Sequence, residues 1–329
     1  MKKKSFILVV FVLFFGLFSC SSNEDIHEDN QDEKPVVPDE EEDEVPDVDD
    51  EPDDAIFPDF DLSTWNLSIP EDKGDGTALT ITVAELNNNY QNSKYFYPST
   101  DGGMVFKCPI DGAKTSLNTS YTRVEFREML RGTNTSIKTQ GVNKNNWVFG
   151  TAPEADKKAA FGYDGEMRAT LAVNHVTTTG DNGQVGRVIV GQIHANDDEP
   201  VRIYYRKLPN NTLGSIYFAH EPTDGNGSEQ WHEMIGSRSN SASNPSNGIA
   251  LNEKFSYIIH VEGDALTVTI SREGKADVVK TVNMQSSGFN VSGQYMYFKA
   301  GVYNQNNSGN ADDYVQATFY ALEKSHTTY

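Results

Sequence analysis

The sequence predicts an all-β protein, a β-sandwich of jelly-roll type, on three observations. Short segments rich in β-branched and aromatic residues alternate polar with apolar side chains, the period-2 pattern of strands with one buried face. Clusters of Gly, Asn, Asp, Ser and Pro separate these segments, and such residues close turns. Helical character is confined to Thr82–Tyr90 and to residues 153–160. Many short strands and few helices in roughly 270 residues suit a single sandwich. No internal repeat and no second domain boundary interrupts residues 57–329.

Along the chain, the first strong strand signal is Arg123–Met129, in which charged and apolar residues alternate. Arg187–His194 holds four β-branched residues, and Arg202–Arg206 centres on Ile203, Tyr204 and Tyr205. Ser256–Glu262 and Ala265–Ser271 alternate through most of their length, while Tyr295–Tyr303 and Val315–Leu322 add aromatic rings. The intervening turn signals are DKGDG at 72–76, DGNGS at 224–228, NPSNG at 244–248, REGK at 272–275 and NQNNSGN at 304–310.

The 329 residues include 48 acids and 27 bases, a formal net charge of -21. Phosphate backbones require a local excess of Lys and Arg, so nucleic acid is excluded as a partner. The charge is unevenly placed. Residues 24–54 contain 18 of the acids and one base, Lys34, with prolines at 35, 38, 46 and 52 and no periodicity. Such a stretch cannot bury enough apolar surface to offset chain entropy and repels itself, so it reads as an extended tether. A calcium buffer or a partner-binding tail is the less favoured reading. From Ala55 onward there are 30 acids and 23 bases, so the globular part is only modestly acidic.

At the N-terminus three lysines precede an apolar run from Phe6 to Phe18. Its 13 residues are too few to span a bilayer and suit the apolar core of a secretory signal. Leu17-Phe18-Ser19-Cys20 resembles the bacterial lipobox, with Phe18 bulkier than usual there. That resemblance implies a signal peptide at 1–19, lipidation at Cys20, an acidic tether at 20–56 and a globular domain at 57–329. The expected location is the outer membrane, held by the lipid anchor and exposed at the cell surface. Cys108 is the only other cysteine, so no disulfide framework is available.

Searches for other chemistry fail. There is no G-x-S-x-G elbow, Walker loop, dinucleotide fingerprint or EF-hand. His232-Glu233 begins like a zincin helix, but position 236 is Gly. No Cys/His cluster suggests zinc, and neither a metal nor a cofactor is expected.

Three segments instead place polar residues at alternate positions, hence on one strand face. Arg123-Val124-Glu125-Phe126-Arg127 sets Arg123, Glu125 and Arg127 against Val124 and Phe126. In Gln192-Ile193-His194 the flanking residues oppose Ile193. In the segment 297–305, YFKAGVYNQ, Tyr297, Lys299, Tyr303 and Gln305 share a face, and Phe298, Ala300 and Val302 point inward. Each segment alone reads equally well as a salt-bridged solvent face or a structural histidine. Together they supply cations, an amide, an imidazole and phenols around one carboxylate, a surface for a polyanionic, hydroxyl-rich ligand.

R-V-E-F-R, Q-I-H and Y-F-K-A-G-V-Y-N-Q, in that order, resemble the signature segments of the alginate lyases of polysaccharide lyase family 7. FDLSTWNLSIP at 60–70 resembles that family's first strand, and the likeness extends over residues 57–329. Phe126 stands where Leu or Val is usual; it points to the core, so only packing should adjust. The resemblance implies a jelly roll with a concave substrate groove that cleaves alginate by β-elimination, removing the C5 proton and expelling the C4 oxygen. It implies that Arg123 and Gln192 neutralise the uronate carboxylate. His194 is the implied base and Tyr303 the acid for guluronate. For mannuronate Tyr303 serves as both, its phenolate favoured by Arg123, Arg127 or Lys299. Arg127, Lys299, Asn304 and Gln305 are expected to hold neighbouring sugars, and Glu125 to orient the two arginines. Ile193 implies guluronate or mixed-block preference, and endolytic cleavage by a monomer is expected. The rival readings are a non-catalytic carbohydrate-binding lectin on the same sandwich and a hydrolase of a neutral glycan.

Overall fold

The computed structural model describes Pro58 and residues 60–329. The signal segment, Cys20 and the tether lie outside the described residues. The first part of the chain forms β1 (Trp65–Asp72), β2 (Ala78–Ile81), α1 (Val83–Asn87), β3 (Phe96–Pro98), β4 (Met104–Pro109) and β5 (Arg123–Glu128). Next come α2 (Glu154–Ala159), β6 (Tyr163–His175), β7 (Arg187–His194), β8 (Val201–Arg206), β9 (Leu213–His220) and β10 (Gln230–Ile235). The last are β11 (Ile249–Ala250), β12 (Lys254–Glu262), β13 (Ala265–Ser271), β14 (Val278–Asn283), β15 (Tyr297–Asn304) and β16 (Tyr314–Thr327).

Both helices fall where the sequence places them. For α1 the reason is local: Glu85 Oε2 accepts from the Thr82 backbone N–H at 2.7 Å, and Thr82 Oγ1 accepts from that of Glu85 at 3.3 Å. This reciprocal cap satisfies two backbone donors that the first turn leaves open.

The strands form two antiparallel sheets packed as a sandwich. One runs β10-β9-β8-β7-β15-β5-β1-β2, with β11 added to β9; the other runs β14-β13-β12-β6-β16-β4-β3. The core between them takes alternate residues from each strand: Trp65, Leu67 and Ile69 of β1, Val124 and Phe126 of β5, and Phe298, Ala300 and Val302 of β15. Phe126 is fully buried and meets Phe106 edge to face at 5.0 Å and Phe96 at 5.6 Å. Its extra bulk is absorbed in an aromatic cluster, contacts worth about 0.5–1.5 kcal/mol each beyond the area they bury.

Two glycines shape the centre of the first sheet. Gly301 has φ +140°, and a Cβ there would lie 2.5 Å from the Val124 carbonyl. A Cβ on Gly191 would lie 2.6 Å from the Tyr257 hydroxyl of the opposite sheet. The β7–β15 register shifts between Ala300 and Tyr303. That irregularity lets Ile189 and Gln192 face the same way, with Val190 tucked into the core.

His232 and Glu233 lie on strand β10, not on a helix.

Candidate active site

β15 reaches the chain's centre from its far end and pairs with β7 on one side and β5 on the other. This places the three polar segments side by side. Lys299 lies opposite Gln192 and Arg127, Tyr303 opposite Arg123, Tyr297 opposite His194, and Gly301 opposite Glu125. The outward face of three adjacent strands thus carries every polar residue that the alternation assigned to it, except Gln305 just past the end of β15.

Glu125 is the hub. Its carboxylate is 1% exposed and accepts from Arg123 Nη1 at 3.1 Å, from Lys299 Nζ and from Gln192 Nε2. Burial opposes its ionisation, yet Lys299 and Arg123 outweigh burial and hold its pKa below the usual carboxylate range. Burial and the Arg123 charge, against the pull of Glu125, lower Lys299 to about 8. Burial also works against the Arg123 charge, but Glu125 prevails and keeps the guanidinium firmly protonated. Two cations and one anion leave a single net positive charge at the centre, matched to one carboxylate of a ligand. Arg123 also retains a buried Nε–H without a protein partner.

The other expected roles divide. Glu125 pairs with one arginine, not two: Arg127 donates to Met129 Sδ at 3.0 Å and to the Thr139 carbonyl at 2.7 Å, and its guanidinium lies 4.0 Å from the Tyr297 ring centre. Arg123 lies 3.7 Å over the ring of Tyr303. Even so, the site does not favour a phenolate. Burial raises the Tyr303 pKa above its ordinary value, and Arg123 offsets this only in part because Glu125 and Glu199 oppose it. His194 is pushed down to about 3, by burial first and then by Lys299, against the Ala195 carbonyl. It is a neutral imidazole at ordinary pH.

Asn304 and Gln305 do not join the face. Asn304 follows Tyr303 and therefore points the other way; it is fully buried, with Nδ2 donating to the Cys108 carbonyl at 3.4 Å and Oδ1 accepting from Asn306 N–H at 3.1 Å. Gln305 lies past the strand end, 6% exposed, and its Nε2 turns back to the Asn304 carbonyl at 3.3 Å. Both secure the end of β15.

The face extends further than the three segments. Ile189, Tyr204, Tyr217 and Ala219 form an apolar patch beside Tyr303, with Trp231 packed on it. Tyr204 and Tyr217 stack at 5.1 Å, and Arg238 lies 4.7 Å from the Trp231 ring centre. Arg202-Ile203-Tyr204-Tyr205-Arg206 has the same alternation as R-V-E-F-R, so sequence alone held a signal for this part. On the other flank, next to Arg127, a pocket of about 340 Å³ is lined by Asn66, Thr80, Met129, Arg131 and Thr139 among others.

A β-sandwich that gathers a neutral imidazole, a phenol and paired cations around a carboxylate on one sheet face defines a polysaccharide lyase. A family profile described as alginate lyase matches residues 60–326. An alginate lyase of Klebsiella pneumoniae is 60% identical over 275 residues, covering 81% of this chain and 90% of that protein. The chain belongs to the alginate lyase family. The crystal structure of the Klebsiella pneumoniae alginate lyase superposes with a TM-score of 0.80 at 59% identity, covering 81% of this chain and 96% of that one. Alginate lyase A1-II', a member of polysaccharide lyase family 7, gives 0.58 at 25% identity, with 82% and 97% covered. An alginate lyase of Pseudomonas aeruginosa gives 0.58 at 28%, with 81% and 100% covered. The jelly-roll sandwich expected from the sequence is the fold found.

Proposed function

We propose that this protein cleaves alginate by β-elimination, endolytically, with preference for guluronate or mixed blocks. The observation that carries the reading is the strand register that brings Arg123, Gln192, His194 and Tyr303 onto one face, with His194 neutral and Tyr303 protonated. In guluronate the C5 proton and the C4 oxygen lie on opposite sides of the ring, so a base and a separate acid are needed. His194 Nε2 takes the C5 proton, and Tyr303 Oη protonates the departing oxygen. Arg123, with Gln192 beside it, meets the uronate carboxylate and offsets the charge that builds in the enolate-like transition state. Mannuronate requires Tyr303 to begin as a phenolate, and burial disfavours that form. Ile193 lies in the core beneath Gln192 and His194, so any influence on block choice acts through their placement. Endolytic cleavage is supported by features on both flanks of Arg123, Gln192, His194 and Tyr303, the Trp231 patch on one and the Arg127 side on the other, which offer sugar contacts in both directions.

Mixing the purified protein with polyguluronate and following ultraviolet absorbance tests the reading. A lyase creates the unsaturated uronate chromophore. A lectin retains alginate without product, and a hydrolase yields reducing ends without the chromophore. A rapid fall in viscosity before short products accumulate marks endolytic action. We also propose lipid anchoring at Cys20, on the strength of Leu17-Phe18-Ser19-Cys20 after the apolar run. Cys20→Ala should abolish lipid labelling and release the protein from the membrane fraction; retained labelling overturns the anchor.

A further inference from the structure

Once His194 has taken the C5 proton it must lose it before the next turnover, and the surroundings of its ring indicate where the proton goes. His194 Nδ1 lies 2.6 Å from the Ala195 carbonyl. A carbonyl only accepts, so Nδ1 carries the hydrogen of the neutral ring and Nε2 is bare. Nε2 faces Glu199 Oε1 at 3.4 Å. A proton taken up at Nε2 therefore has a carboxylate acceptor beside it.

Glu199 in turn adjoins Glu221, whose pKa rises to about 7 through burial and a hydrogen bond with the Glu199 carboxylate. Glu221 thus exchanges a proton near neutrality beside the Glu199 carboxylate. Arg202 clamps the group: Nη1 lies 3.4 Å from Glu199 Oε2, Nη2 lies 3.1 Å from Glu221 Oε2, and the same Nη2 meets Glu229. The Glu221 backbone N–H donates to the Glu199 carbonyl at 3.1 Å, tying the two segments together. Exposure grades outward, from 18% for the Glu199 side chain to 36% for that of Glu221. Three carboxylates on one guanidinium form a net negative patch beside a face that otherwise collects cations. Such a patch is not a surface that retains a polyanion.

We propose that Glu199 is the relay residue that resets His194, passing its proton through Glu221 to solvent. The proposal rests on His194 being the base in the function proposed above. In the elimination, the C5–H electron pair becomes the C4=C5 double bond. The C4–O bond breaks with its pair, and that oxygen takes the Tyr303 proton. The C5 proton moves from Nε2 to Glu199, to Glu221 and to water, and Tyr303 regains a proton from water. The charged and titratable groups facing His194 are Tyr297 and Lys299 of β15, Arg123 and Glu125 of β5, and Glu199. Those around the carboxylate pair are Arg202, Glu229, Asp224 and Asp198.

The test is to assay Glu199→Gln and Glu199→Ala on polyguluronate and polymannuronate beside His194→Ala, with melting curves to confirm folding. Glu199→Gln should lower kcat on polyguluronate by about tenfold or more, within the range of proton-transfer effects, with KM little changed and a smaller loss on polymannuronate. Added acetate should restore Glu199→Ala in proportion to its concentration. A loss carried by KM, equal on both polymers and without rescue, overturns the relay, as does full activity of Glu199→Gln. If His194→Ala itself keeps polyguluronate activity, the base assignment fails and the relay with it. If His194→Ala is inactive while Glu199→Gln is not, the relay alone fails.

Discussion

His194 and Tyr297 lie face to face, with ring centroids 5.0 Å apart and planes 10° from parallel. Tyr297 is also covered by the Arg127 guanidinium at 4.0 Å, so the imidazole rests on a ring that is itself held from the next strand. With the Nδ1 bond to Ala195 at 2.6 Å, this stack fixes both the plane and the tautomer of the base. Tyr297→Phe keeps the stack and should retain most activity. Tyr297→Ala removes it and should lower kcat on polyguluronate by roughly tenfold to a hundredfold, the scale at which misplacement of a reacting group is felt. Steady-state kinetics on both variants checks this, and equal activity in both contradicts a positioning role.

Tyr303 is raised in pKa by burial and partly restrained by Arg123, which makes it an acid in waiting. Tyr303→Phe should reduce release of unsaturated uronate by about 10²–10⁴-fold and leave the melting temperature near that of the parent, because the ring still packs. His194→Ala should cost more on polyguluronate than on polymannuronate. Similar losses on the two polymers would contradict the split between base and acid.

The legible parts of this molecule are those where local pattern and tertiary environment agree. β7 and β13 begin and end where β-branched content places them, because each pairs on both edges. β6 was not legible: its 13 residues include Gly165, Ala169, Ala172, Glu166 and Arg168, a composition that favours helix or turn. Pairing with β12 and β16 overrides it. β9 is buried on both faces, so it shows no alternation. In the site, period-2 reasoning located Arg123, Glu125, Arg127, Gln192, His194, Lys299 and Tyr303 on one face but misjudged Gln305, because the strand ends at Asn304; Asn304, expected at the sugars only from the family resemblance, is buried on the other side. Glu199 had no signal at all, since a loop carries no periodicity.

Glu128, on the core side of the same strand, predicts the behaviour of the fold in acid. It is fully buried and accepts from Lys324 at 3.0 Å, from His326 at 2.8 Å and from the Phe298 backbone N–H at 3.0 Å. Burial opposes its charge, but Lys324 and His326 prevail and lower it to about 2. A carboxylate depressed in the folded state stabilises above its unfolded pKa, and this contribution is lost as pH falls through the folded value. For Glu128 the window runs from 4.5 down to about 2. The depressed His194 acts with the same sign between 6.5 and about 3. Glu128→Gln should cost roughly 3–5 kcal/mol near neutral pH by stranding the Lys324 charge and should flatten the acid limb of stability. Denaturant melts across that range decide the matter, and an unchanged acid limb contradicts it.

Lys299 sets the opposite edge of the activity profile. Burial and Arg123 lower its pKa to about 8 against the attraction of Glu125. As pH rises through that value the ammonium becomes an amine, and the single net positive charge that meets a uronate carboxylate disappears. KM for polyguluronate should therefore climb above pH of about 8. Tyr303 cannot account for such a limb, since its own pKa is raised above the ordinary tyrosine value of 10.0. The guanidinium of Lys299→Arg stays charged, so that variant should carry the KM limb to higher pH even if its kcat is lower. An alkaline limb that stays in place in Lys299→Arg assigns the titration to another group.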